Sequence, residues 1–477
     1  MKNKPSDSQL IAKNISFLYN GEIINQILTL ILIVFISREL GDVGLGKYSF
    51  AFSFASIFLL LADFGLPTLI TKDIAKDHKS AQKYLSNTFT LKFFLNFITL
   101  LVTVLIIFIL KKDAETVILV ALAGIAMFFY NFGGVFRSVL QGYEAMKYEV
   151  ISKAVERIVA AGLGIYLLLR GYGILSLFIT LILSNAVYYI LLYFFTNKKI
   201  SPINITFNWQ IWKQTIKESF PFWLTLIFVS FYVRIDTIML GFMKDYAQTG
   251  WYNAAYKIID VFTRVLYLPI IALFPALAKS HKISIQKTKT LYEKSFYYMV
   301  AFALPAVIGL LMLSKKIIPL IYGNQFNNSI IVLQILGFSL FFTALNFLMG
   351  FLLNSIDKQK LFAITAGAST VVNILLNLIL IPIYGYKGAG FATVASEIVN
   401  FSMLYYFTGK NGFSVGIFKL LLKPIISSII MILVLHYLMS LNVILLAIIG
   451  AASYLVAMFL IRGLGKEEVN LVKSVIS

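Results

Sequence analysis

The chain has 477 residues, 59% of them hydrophobic and only 13% charged, with a formal net charge of +20 and a mean hydropathy of +0.86. This balance excludes a soluble globular protein and defines an all-α polytopic membrane protein. Zero cysteines exclude disulfides, thiolate metal sites and a thiol nucleophile, and His78, His281 and His436 are too scattered to form a ligand set.

Fourteen apolar stretches each approach the roughly 20 residues that a bilayer requires. They run 15–36, 48–66, 88–110, 117–136, 150–169, 174–195, 220–240, 251–275, 297–313, 330–353, 361–381, 389–407, 420–438 and 443–461. The N-terminal nine residues are polar and the first apolar run lacks a small-residue cleavage site, so no cleavable signal peptide is expected. With the N-terminus placed in the cytoplasm, its tail and alternate connections carry 27 Lys and Arg, counting Lys153 and Lys423 at the cytoplasmic edges of their spans, against 9 on the opposite side. The other five (Lys92, Arg157, Arg234, Lys257 and Arg264) lie deeper within spans. This bias predicts both termini on the cytoplasmic side of the cell membrane. Most of the +20 is then topology signal and attraction to anionic membrane lipids, and no nucleic-acid partner is expected. The basic stretches 72–83 and 279–294 read as short cytoplasmic loops, and Lys92 as a residue snorkelling from a helix start.

An internal repeat organises the chain. Gly46-Lys-Tyr48 opens the second span as Gly250-Trp-Tyr252 opens the eighth, each after a turn holding an acid, Asp42 or Asp245. Gly171-Tyr172 before span six matches Gly385-Tyr386 before span twelve. Residues 1–200 and 201–410 therefore read as two pseudosymmetric six-helix lobes, with 411–477 adding two helices and a tail. Six spans per copy preserve orientation, which is a transporter architecture.

Charges inside spans are costly, so they mark candidate sites. Arg234 and Asp236 lie on span seven, while Lys257, Asp260 and Arg264 fall at i, i+3 and i+7 on span eight, one helical face. Arg234 and Lys257 each stand seven residues from their side of the intervening turn, roughly 10 Å deep, which points to a shared anion site. Arg38 at one mouth and Arg137 and Arg157 at the other are secondary cations. Adjacent Glu156 and Arg157 point about 100° apart on a helix and so call for separate partners. Glu22, Asp63, Asp236, Asp260 and Glu397 are candidates to couple transport to H⁺ or Na⁺. Glu22 and Glu397 lead because neither has a base at i±3 or i±4. Against these functional readings stands plain ion pairing, as between Asp260 and Arg264. Tyr232, Tyr252 and Tyr256 are candidates to stack on sugars. Pro269, Pro275 and Pro305 are candidate kink positions. No Walker motif, metal site or cofactor is read from the sequence.

The run from Arg234 to Gly241, Gly250-Trp-Tyr-Asn-Ala-Ala-Tyr-Lys257, Leu273-Phe-Pro275, Tyr322-Gly-Asn-Gln-Phe326 and Ile381-Pro-Ile-Tyr-Gly385 resembles polysaccharide flippases. These belong to the multidrug/oligosaccharidyl-lipid/polysaccharide exporter superfamily. The resemblance spans nearly the whole chain and implies a transporter, not an enzyme. Its implied cargo is a polyprenyl-(pyro)phosphate-linked oligosaccharide, moved outward by alternating access around a cationic cavity. A polymerase or ligase of the same glycan pathway is an implied partner. Lipid II flippases of the superfamily carry several arginines in their first two spans. Here those spans offer Glu22, Asp63 and only the rim residue Arg38, which counts against peptidoglycan precursor. A multidrug or cation antiporter is the other alternative, and its cavity should be acidic or apolar. A membrane glycosyltransferase would need a large outer loop, which the chain lacks.

Overall fold

The computed structural model describes residues 7–199 and 206–463, and no strand occurs among them. The first two predicted spans lie in one element, α1 (Asp7–Asp63), broken at Gly41 by a φ of 71° that favours glycine. Gly65, at φ 72°, then turns the chain into α2 (Leu66–Lys76). Most of the loop expected over 72–83 is therefore helical. The reason is amphipathic: Leu66, Leu69, Ile70 and Ile74 share one buried face.

The remaining spans map one to one onto α3 (Ala81–Ile109), α4 (Ala114–Gly142), α5 (Met146–Leu169), α6 (Gly173–Lys199), α7 (Trp209–Met243) and α8 (Tyr246–Ile283). Then follow α9 (Ile285–Tyr322), α10 (Ser329–Ser355), α11 (Gln359–Tyr384), α12 (Tyr386–Lys410), α13 (Ile417–Tyr437) and α14 (Val443–Leu460). Among the described residues, ten helices are individually long and apolar enough to cross a membrane, and the bent α1–α2 pair makes eleven. The loop expected at 279–294 is likewise absent. Only Ser284 separates α8 from α9, its hydroxyl accepting from the Lys287 amide at 3.5 Å. Helix α9 runs through Pro305.

Packing groups Met1–Gly250 and Trp251–Ser477 as two units. The first therefore takes in α7 and the first turn of α8. Helix α7 packs on α1 and α2, and two tryptophans tie it down. The Trp212 indole donates to the Asn87 carbonyl at 3.0 Å, and the Trp223 indole to the Leu60 carbonyl at 2.8 Å. The apolar core of this unit has two parts. One gathers Phe50, Phe54, Leu119, Ala123 and Phe178; the other gathers Ile70, Leu85, Phe136, Tyr188 and Trp212. In the second unit, Leu313, Met431, Leu435 and Tyr454 join α9 to α13 and α14.

At one end of the first unit α1 crosses the start of α8 with no room for side chains. A Cβ on Gly46 would lie 1.8 Å from the Tyr246 carbonyl oxygen, and one on Gly250 would lie 2.0 Å from that of Asp42. The same end is fastened by Lys112 of the α3–α4 turn, which donates to the Gly241 carbonyl at 2.5 Å. Its ammonium sits 5.5, 5.0 and 5.3 Å from the ring centres of Phe50, Phe242 and Tyr246. Lys47 pairs with Glu115, and the Thr116 and Tyr246 hydroxyls meet at 2.9 Å.

Candidate functional site

Helix α3 shows how the first unit builds a polar interior in an apolar chain. Phe94, Phe97, Ile98, Leu101, Leu105 and Phe108 are exposed, as lipid-facing residues should be, while Lys92, Asn96, Thr99 and Thr103 are buried. The polar residues recur at i, i+4, i+7 and i+11, a single helical stripe turned inward. Lys92 is fully buried rather than snorkelling. Its position explains why: it stands eleven residues into α3, roughly 16 Å from the helix start, too deep to reach the rim. Its ammonium donates to Asn131 Oδ1 at 2.8 Å and to the Asn131 carbonyl at 3.3 Å. Asn131 passes the chain on to Asn96 Oδ1 at 3.0 Å, and the Asn96 amide returns to the Lys92 carbonyl at 2.8 Å.

Six residues further along α4, the Arg137 guanidinium donates to the Tyr130 hydroxyl at 3.2 Å. Tyr130 in turn stacks on Tyr188, with centroids 5.6 Å apart. Arg137 is half-buried. Arg157 is also half-buried, but contrary to the helical-wheel expectation it pairs with its neighbour, Nε lying 3.3 Å from Glu156 Oε2. The long arginine side chain folds back along the helix and closes the angle that the backbone opens. Arg38 is exposed.

Among the acids of this unit, Glu22 does have a basic partner, Lys153 Nζ at 2.9 Å. That lysine comes from α5, so local spacing could not reveal it. Asp63 accepts the Gly65 amide at 3.2 Å, fastening the α1–α2 turn. Asp236 is buried, and Arg234 on the same helix lies with its guanidinium carbon 5.5 Å from the centre of the Phe52 ring.

In the second unit, Asp260 holds both of its helical neighbours. Lys257 Nζ lies 3.1 Å from Oδ2 and Arg264 Nε 3.2 Å from Oδ1. Lys257 and Asp260 are half-buried and Arg264 is exposed. Glu397 is buried on α12 and accepts the Asn346 amide of α10 at 2.6 Å. Asn377 donates to Asn373 at 3.0 Å on α11, both buried. Tyr252 is also buried, its hydroxyl 3.2 Å from that of Thr393, so its ring is not presented to a sugar. Sequence reasoning missed Asn96, Asn131 and Asn346; the signal that finds them is a buried polar residue on an otherwise apolar helix.

Charges held inside the spans of a helical transmembrane protein mark substrate or ion pathways. The family described as "Polysaccharide biosynthesis protein" matches residues 11–281, more than half the chain. The chain belongs to this polysaccharide biosynthesis family, the polysaccharide-flippase branch of the multidrug/oligosaccharidyl-lipid/polysaccharide exporter superfamily. A second family, "Lipid II flippase MurJ", matches residues 251–465. A curated relative is the "Probable low-salt glycan biosynthesis flippase Agl15" of Haloferax volcanii, 25% identical over 77% of this chain and 77% of that protein. Staphylococcus aureus CapF, a "Capsular polysaccharide biosynthesis protein", is 21% identical over 83% of this chain and 99% of its own. In fold, the chain is similar to "Lipid II flippase MurJ, inward closed conformation", with a TM-score of 0.79 and 18% identity over 94% of this chain and 99% of that one.

Proposed function

We infer that the protein flips a polyprenyl-(pyro)phosphate-linked oligosaccharide from the cytoplasmic to the outer leaflet of the cell membrane by alternating access. The observation that carries this reading is the set of cations kept on apolar helices: Lys92, Arg137, Arg234 and Lys257 are all buried or half-buried. A phosphate cannot cross hydrocarbon alone, and ammonium and guanidinium groups replace its hydration. An exporter of organic cations has no use for such a set. The carbohydrate relatives support an oligosaccharide as cargo. The MurJ family match and fold favour lipid II as the second reading, because the same cations suit either phosphate-bearing headgroup.

In this reading Arg234, Lys257 and Arg264 hold the headgroup, with Arg38, Arg137 and Arg157 assisting at the mouths. Glu22, Asp63, Asp236, Asp260 and Glu397 are the groups available to a coupling H⁺ or Na⁺. Both termini lie in the cytoplasm, and a polymerase or ligase receives the cargo outside. The test is translocation of labelled polyprenyl-pyrophosphate oligosaccharide, and of lipid II, in proteoliposomes. Arg234→Ala and Lys257→Ala should each abolish or severely slow transport by folded, inserted protein. Wild-type rates in both single variants and in the double variant would refute the assignment of headgroup binding to these residues. Transport of lipid II alone would transfer the assignment to the second reading.

A further inference from the structure

We propose that Lys92 and Arg137 converge over Gly134 to form an anion site inside the first unit, one that takes a phosphate or pyrophosphate group. It rests on the flippase reading for its biological cargo, but the chemistry is local. The point where a Cβ of Gly134 would stand lies 3.5 Å from Lys92 Nζ, 3.8 Å from an Arg137 terminal nitrogen and 3.9 Å from Asn131 Oδ1. Two cations thus stand within 4 Å of one point that the absence of a side chain leaves unfilled.

Neither cation has a carboxylate within ion-pairing distance among the described residues. Asp63 acts on both only through the longer-range field, and Glu149 acts so on Arg137. Both acids are occupied elsewhere, Asp63 with the Gly65 amide and Glu149 with the Gln141 side chain at 2.8 Å. Two of the three Lys92 donors go to Asn131, which leaves one over. A buried ammonium without a counter-ion is expensive, and two like charges facing one point raise the cost further. A dianion bridging Lys92 and Arg137 removes both penalties. Arg137, being half-buried, supplies the approach, and Lys92 the depth.

A structural role for Lys92, holding Asn131 in place, predicts the opposite responses to mutation. The experiment is thermal unfolding and calorimetric titration of the full chain in detergent. Probes are farnesyl pyrophosphate, inorganic pyrophosphate, and farnesol as the uncharged control. Wild type should bind both pyrophosphates and be stabilised by them, but not by farnesol. If only the lipid form binds, the site belongs to a headgroup; if both bind, to the phosphate itself.

Lys92→Met and Arg137→Gln should each weaken binding at least tenfold. Lys92→Met should leave the ligand-free Tm unchanged or raised, because it removes an uncompensated buried charge. Gly134→Ala adds a methyl at ordinary contact distance. It should therefore fold normally yet weaken binding at least tenfold by occupying the point that both cations face. The inference is overturned if Lys92→Met and Gly134→Ala bind pyrophosphate as wild type does. A fall in the ligand-free Tm of Lys92→Met with unchanged binding would overturn it too. Transport by wild type alongside unaltered binding in the variants sinks this site alone. Pyrophosphate binding without transport of any lipid-linked cargo sinks the flippase reading alone.

Discussion

Replacing Gly46 with alanine should unseat the crossing of α1 and α8 at the end of the first unit. The new Cβ would stand 1.8 Å from the Tyr246 carbonyl oxygen, whereas ordinary contact begins near 3.4 Å. The backbones must therefore part by roughly 1.6 Å, and since the obstacle is main chain no rotamer change can relieve it. Overpacking of this kind costs about 1–3 kcal/mol. The parting also loosens Lys112 from the Gly241 carbonyl, 2.5 Å away. Gly250→Ala should cost a similar amount, its Cβ meeting the Asp42 carbonyl at 2.0 Å. The double variant should cost little more than the worse single one, because the first methyl has already opened the gap. Gly162→Ala on α5, with nothing within 4 Å of its Cβ, is the control and should gain about 0.5–1 kcal/mol. Unfolding of the purified proteins in detergent reads these values. The cysteine-free background adds a second readout, since maleimide labelling of Thr249→Cys, at a fully buried position, should rise in the Gly46→Ala protein. Additive single-variant costs, or a Gly46→Ala protein with wild-type Tm and labelling, would refute the close-crossing argument.

The other predictions concern single polar contacts. Asp113 caps α4, accepting the Thr116 amide at 3.0 Å and its hydroxyl at 2.8 Å; Asp113→Ala should cost about 1 kcal/mol by denaturant unfolding. Burial alone would raise the Asp113 pKa, but the Thr116 bonds and the Lys47 charge outweigh it and hold the carboxyl below its ordinary value. The cap's contribution is thus full above the ordinary carboxylate range and is lost as pH falls through the lowered folded value. The Tm gap between wild type and Asp113→Ala should close there. Asp260→Asn should change stability by less than about 1 kcal/mol, because Arg264 is exposed and neither Lys257 nor Asp260 is fully buried, so solvent screens the group. A cost several times larger would show that the Lys257–Asp260–Arg264 group is a structural clamp. Asn346→Leu strips a hydrogen bond from buried Glu397 and should cost about 1–2 kcal/mol. If Glu397 binds the coupling ion, Glu397→Gln transport should no longer respond to an imposed gradient, and an unchanged response removes it from the candidates.

Element positions were legible because the lipid requirement writes itself into length and hydropathy, and each of the fourteen stretches falls on helix except at its margins, where 48–66 runs over the turn at Phe64 and Gly65. Loops fared worse. The stretch 66–76 is too short and too basic for a span, and its four buried apolar residues signal a helix only once one weighs the face over the charge count. For the candidate site, residues whose partners lie within one turn were readable, as with Asp260 and its two cations. Partners brought in from another helix were not. Nothing in the spacing around Glu22 announces Lys153, 131 residues away. Lys92 was misread for the same reason: its hydrogen-bond partners are Asn96 on α3 and Asn131 on α4, which carry no charge pattern to follow.

The glycine crossing is reciprocal. Gly46 and Gly250 each open a Gly-x-Tyr sequence, and each meets the carbonyl of the residue four positions before the other, Tyr246 or Asp42. The approach therefore depends on both glycines, since a methyl on either one parts the same pair of backbones. The side chains that fasten the crossing come from elsewhere: Lys112 and Thr116 both belong to the α3–α4 region and act on Gly241 and Tyr246. Backbone approach is thus set by the two glycines, while the strength of the closure is set by these side chains. For that reason substitution of Lys112 should alter how firmly this end is held without altering where the helices cross.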